Sequence, residues 1–148
     1  MKLEYRIDNV IRGGSIYAIG DTIASLISNE FSWIRVLGIL IIGGTVYAFE
    51  IPNYFNWIDR KTASESVRKS AIIRAFLAMA YFNPIWIARY ILFIYILMGQ
   101  FDRIGWGLIT TGTVSFLINI PISLFANYII QNKVPLKHRF LASAIFSG

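Results

Sequence analysis

Residues 72–98 read IIRAFLAMAYFNPIWIARYILFIYILM. At about 1.5 Å per helical residue this run is long enough to cross a hydrocarbon core of roughly 30 Å. Asn83-Pro84 and Arg89 interrupt it. A segment built only to span would carry Leu or Val at those positions. Polar and ionisable groups at membrane depth are costly and need a partner or a purpose. What these residues face decides how the remainder of the chain is read.

The chain has 148 residues, which fits one domain. Hydrophobic residues make up 56% and charged residues 15%, where a soluble domain would be nearer a quarter charged. The apolar residues fall in runs, so the class is integral membrane protein. The net charge of +6 does not indicate nucleic acid, because the basic residues sit in the connections between apolar runs. The absence of cysteine excludes disulfides, thiol catalysis and Cys-based metal sites. The one histidine, His138, lies in Lys137-His138-Arg139 and reads as a solvated interface residue. No metal, cofactor or enzyme active site is expected, since no Ser-His or His-rich arrangement is present. The start MKLEYRIDNVIR carries Glu4 and Asp8 and resembles neither a cleavable signal nor a mitochondrial presequence.

The expected fold class is all-α and polytopic, with four transmembrane helices in a single transmembrane domain. The spans are placed at 10–27, 34–52, 71–98 and 104–130, followed by a basic tail at 131–148. The first is the least hydrophobic. Gly13, Gly14 and Gly20, with Gly44 and Gly112, read as helix-packing positions, where small residues let backbones approach. Lys2, Arg6 and Arg12 precede the first span, and Arg60, Lys61, Arg68, Lys69 and Arg74 lie between the second and third. Lys133, Lys137 and Arg139 follow the fourth, whereas the other two connections carry only Arg35 and Arg103. The positive-inside rule then puts both termini on the cytoplasmic or matrix side. The connection 56–70 reads as a short interfacial helix anchored by Trp57, with Trp33 and Trp106 at the opposite face.

An internal repeat is also expected. Leu40-Ile41-Ile42-Gly43-Gly44-Thr45-Val46 is similar to Leu108-Ile109-Thr110-Thr111-Gly112-Thr113-Val114, and Glu50-Ile51-Pro52 to Asn119-Ile120-Pro121. Ile11-Arg12 aligns with Ile73-Arg74, which sets Asp21 against Asn83. A duplicated two-helix hairpin follows, with both copies running in the same direction through the membrane.

In that arrangement Asp21, Glu50, Asn83 and Asn119 fall within about two helical turns of depth, Glu50 and Asn119 nearer the inner face, and Pro84 and Pro121 lie next to or close to two of them. Prolines free backbone carbonyls that can line a cavity. These residues, with Arg89, form the expected substrate pathway. Arg89 has two readings: it snorkels to headgroups, or it turns inward as counter-ion to Asp21.

The same residues carry a resemblance. Gly14-Ser15 with Gly20-Asp21, Arg35 through Gly43, Tyr54-Phe55 with Asp59-Arg60, Phe82 with Pro84, and Pro121, Asn127, Val134-Pro135 and Arg139 resemble the motifs of the Mpv-seventeen family of peroxisomal and inner-mitochondrial membrane proteins. Ser25 stands where that family's pattern has Gln. The resemblance implies passage of small metabolites. Gly20-Asp21-Thr22 and Phe82-Asn83-Pro84 are also similar to the bacterial L-alanine exporters, which implies export of a small amino acid.

The expected function is therefore a channel or transporter for small polar metabolites, in the bacterial cytoplasmic or mitochondrial inner membrane. Its expected partners are lipids, the solute and further copies of the chain. The alternatives are an amino-acid exporter and a structural or assembly subunit of a membrane complex.

Overall fold

A computed structural model describes residues 3–147, so Lys2 of the basic arm and Gly148 of the tail lie outside the described residues. The regular structure among the described residues is helical throughout. The helices are α1 (Ile7–Ile27), α2 (Trp33–Ile42), α3 (Ala48–Lys61), α4 (Val67–Tyr81), α5 (Pro84–Leu97), α6 (Gly107–Lys133) and α7 (Leu136–Ser147). They form two compact units, one of α1, α2, α3 and α7, the other of α4, α5 and α6.

Three stretches are long and apolar enough to cross a membrane: Trp33–Lys61, Val67–Leu97 and Gly107–Lys133. The first expected span, α1, is not among them. Its 21 residues suffice in length, but Asp8, Arg12, Asp21 and its glycines dilute its apolar character. The second expected span runs well past Pro52, which sits inside α3. The π-turn Gly43–Tyr47 joins α2 to α3 without ending the helical path. Pro52 cannot donate a backbone bond, but the next residue, Asn53, donates from Nδ2 to the Phe49 carbonyl at 2.7 Å. The connection 56–70 is not a separate interfacial helix: it divides into the end of α3, a turn, and the start of α4. The basic tail contains a helix, α7, which buries Arg139, Phe140, Ser143 and Ala144.

In the first unit α1 crosses the π-turn backbone to backbone. A Cβ at Gly13 would run into the Gly43 carbonyl, and one at Gly43 would lie 2.6 Å from the Gly13 carbonyl oxygen. Gly14 and Gly44 are nearly as tight, against the Leu40 and Val10 carbonyls. The π-turn is held from outside by the Tyr5 hydroxyl, which donates to the Gly44 carbonyl at 2.7 Å. Tyr17 and Tyr47 meet beside it, ring centroids 4.8 Å apart and both fully buried. Ile39, Ile51, Phe55 and Ile58 complete the core with Phe140 and Ala144 of α7.

In the second unit α6 packs along both α4 and α5. A Cβ at Gly112 would strike the Pro84 carbonyl. The turn after α5 needs Gly99, whose φ is +67, and Gln100 N–H closes it by donating to the Tyr95 carbonyl at 2.8 Å.

These contacts do not follow the expected duplication. Gly44 meets Val10 and Gly14, whose aligned counterparts are Ile72 and Phe76. Gly112, aligned with Gly44, instead meets Pro84 and Ala88, beyond the helix break. Ile72 and Phe76 line an apolar groove with Pro121, Leu124 and Phe125. The two hairpins therefore differ in register, whatever their sequence similarity.

Candidate functional site

Of the expected pathway residues, Asp21 and Glu50 belong to the first unit and Asn83, Pro84, Arg89, Asn119 and Pro121 to the second. Asp21 is 2% exposed and both its carboxylate oxygens are taken by Arg35. Arg35 Nε donates to Oδ2 at 2.8 Å and Nη2 to Oδ1 at 2.9 Å. Glu30 lies 3.6 Å from the same guanidinium. Arg35 is in the first turn of α2, and its stem carries the charge back along α1. Asp21 thus sits in a packed seam between α1 and α2, with Arg35 as counter-ion. Glu50 lies fifteen residues further along the same helical path, roughly 22 Å away at helical rise, so the two carboxylates do not share a depth. Glu50 is half-buried in an apolar groove with Tyr5, Thr45, Val46 and Phe49.

Asn83 is a helix cap. The expected third span breaks here into α4 and α5, with Asn83 at the N-cap and Pro84 in the first turn. Asn83 Oδ1 accepts from the N–H groups of Ile85 and Trp86, at 2.9 and 3.0 Å, and Nδ2 donates to the Ala80 carbonyl at 3.1 Å. One amide therefore stitches the end of α4 to the start of α5, and Pro84 is suited to a position whose N–H has no helical acceptor. Arg89 is half-buried in the second turn of α5, after Trp86, whose ring stacks with that of Tyr90. Asn119 is exposed on α6 and donates to the Ser115 carbonyl at 2.9 Å. Pro121 is exposed in the apolar groove described above. Of the expected packing glycines, Gly13, Gly14, Gly44 and Gly112 stand at the tight crossings and Gly20 is half-buried in α1.

A different site is assembled where three segments of the first unit converge. It is a cavity of about 600 Å³. Glu4, Arg6, Asp8 and Arg12 line it from the arm and α1; Asn56 and Arg60 from the end of α3; Lys137 and His138 from the start of α7. Pro52, Phe55 and Phe140 supply apolar wall.

Each segment is latched in place. Asn53 pairs with the backbone of Glu4, accepting from its N–H at 2.9 Å and donating to its carbonyl at 2.8 Å. Arg139 holds α7 to α3: its Nη1 donates to Asp59, separated by 2.6 Å, and its Nε to the Val134 carbonyl at 3.0 Å. Arg12 donates to the Lys137 carbonyl at 3.4 Å. Deeper along α1, the Tyr17 hydroxyl and Ser147 Oγ of α7 are 3.1 Å apart. Among the described residues no group of three His, Cys, Asp or Glu side chains is placed to hold a metal ion.

Sequence reasoning missed this cavity. Arg12, Arg60 and Lys137 enter the sequence reading through the charge bias, the repeat and the motif resemblance, and no local spacing links them. Asn53, which fixes the arm, and Asp59 with Arg139 carried no pathway signal for the same reason.

No protein-family model matches the chain, and no curated protein or solved structure matches it.

Proposed function

We propose that the chain is a four-span integral membrane protein that passes small polar solutes, and that the basic cavity of the first unit is the vestibule that takes them up. The observation that carries this is the cavity itself: about 600 Å³, lined by charged groups from three helical segments. Ligand sites commonly occupy 300–1,000 Å³ and combine an apolar wall with a few placed polar groups.

Counting α1 as the fourth span is supported by where its charges lie. Asp21 is neutralised internally by Arg35, and Asp8 and Arg12 sit at the cavity end. Its outward residues Ile11, Ile19, Ile23 and Ile27 are exposed, as a lipid-facing surface would be. Four spans and the basic bias together set the cavity and both termini on the cytoplasmic or matrix side. Beyond the cavity, Phe140 packs against Gly13, and Tyr17 and Tyr47 close the core. We assign the constriction to these residues. Asp21 then pins α1 to α2 and does not touch solute. For an amino-acid solute, the carboxylate would meet Arg12 and the ammonium Glu4.

A second reading, a subunit of a larger assembly or homo-oligomer, is favoured by α6. Almost none of its apolar window is buried, and Asn119 is exposed within it. A polar amide in lipid is costly and calls for a neighbour.

Reconstitution tests the first reading. Liposomes holding the purified chain should take up labelled glycine, L-alanine or lactate faster than protein-free liposomes. Arg12→Gln should slow that uptake about tenfold, the usual effect of losing one charged hydrogen bond. Uptake no faster than in empty liposomes, across the panel, would leave the assembly reading in its place.

A further inference from the structure

We infer that the basic cavity of the first unit binds a phosphate-bearing anion. The inference rests on the cavity being a ligand site, as proposed above, but not on solute crossing the membrane. Arg6 is already answered by Asp8 at 3.4 Å. Of the remaining charges, Arg12, Arg60 and Lys137 stand against Glu4 alone, so the cavity has a cationic surplus. The three cations come from three different helices. Two are guanidinium forks, which pair with planar or tetrahedral oxyanions through parallel N–H donors.

One carboxylate offers two oxygens and would satisfy one fork. A phosphate monoester offers three, which matches two forks and an ammonium. The start of α7 adds to this, since Leu136 and Lys137 line the cavity from the first turn of a 12-residue helix. Helix N-termini favour anions through their dipole and unsatisfied amides. The volume exceeds what a phosphate needs. Pro52, Phe55 and Phe140 therefore leave an apolar wall for the body to which the phosphate is esterified. Two sources carry this chemistry: a soluble phosphate ester, and the headgroup of an anionic lipid, which basic pockets on the inner side of a membrane attract.

The test is calorimetric titration of the full chain in detergent with glycerol 3-phosphate, and with glycerol as its uncharged twin. The wild type should bind the ester saturably and glycerol not at all. Arg12→Gln and Arg60→Gln should each weaken binding at least about tenfold, the cost of a charged hydrogen bond. Arg68→Gln, an equal charge change on exposed α4 surface, should leave it unaltered. Thermal melts identify a variant that fails to fold. Arg60 is exposed, so its substitution keeps the test open if Arg12→Gln is lost.

The two sources are separated in phosphatidylcholine nanodiscs with and without phosphatidic acid. Displacement of the ester by phosphatidic acid identifies a headgroup site, and its persistence a soluble-ester site. The inference is overturned if neither ligand binds in an Arg12- and Arg60-dependent way, or if Arg68→Gln weakens binding equally. Ester binding without solute uptake overturns only the transport reading. Alanine uptake without phosphate binding overturns only this inference.

Discussion

Asp21 and Arg35 form a two-point ion pair in which the carboxylate side chain is 1% exposed and the guanidinium side chain 7%. Such a pair gives modest net stability, because desolvation offsets much of the attraction. Removing one partner strands a buried charge and costs roughly 3–5 kcal/mol. Arg35→Ala should therefore lower unfolding stability in detergent by about that amount. The double change Asp21→Asn with Arg35→Gln should recover most of it. If the single and double variants melt alike, the pair is not what holds α1 to α2. The sequence shows that Asp21 needs a partner but not which one. Depth counting grouped Asp21 with Glu50, which lies fifteen residues beyond Arg35 along the same helical path. Arg35 enters the sequence reading through the charge bias and the motif resemblance, neither of which pairs it with Asp21. An arginine stem reaching back along a neighbouring helix leaves no periodic trace.

The helices divide into those whose breaks the sequence announces and those whose continuity it hides. Asn83-Pro84 announces a break, and the structure has one there, with Asn83 capping α5. Pro52 and Pro121 look alike in sequence, yet each lies inside a helix. The difference is the side chain before the proline: Asn83 accepts the two N–H groups that a new helix start leaves open, whereas Ile51 and Ile120 cannot. Asn83→Ala should cost about 1 kcal/mol of unfolding stability, the usual worth of an N-cap. It should leave solute uptake unchanged; a fall in uptake without a fall in stability would return Asn83 to the pathway. The repeated Leu-Ile-x-x-Gly-Thr-Val segment likewise marks a tight glycine in each unit, Gly44 and Gly112. It does not carry the register, because that depends on which backbone the glycine admits. Gly44 admits Val10 and Gly14, and Gly112 admits Pro84 and Ala88.

For the whole molecule, composition and apolar runs were enough to give an all-helical chain with membrane-length helices, and the structure has both. The division into two units and the folding of the basic tail into α7 were not legible. Both depend on contacts among residues far apart in sequence: Asp59 with Arg139, Tyr17 with Ser147, and the arm with Asn53. The cavity follows from the same contacts, since Arg12, Arg60 and Lys137 converge only once the arm and α7 are docked. If solute passes through this cavity, a bulky charged group fixed to its wall must block the path. The chain contains no cysteine, so Asn56→Cys, on the cavity wall, would give a unique thiol. The most direct measurement is solute uptake by proteoliposomes of Asn56→Cys before and after labelling with a charged methanethiosulfonate reagent. Labelling should abolish uptake to the level of protein-free liposomes. Complete labelling with uptake undiminished would contradict passage through the cavity.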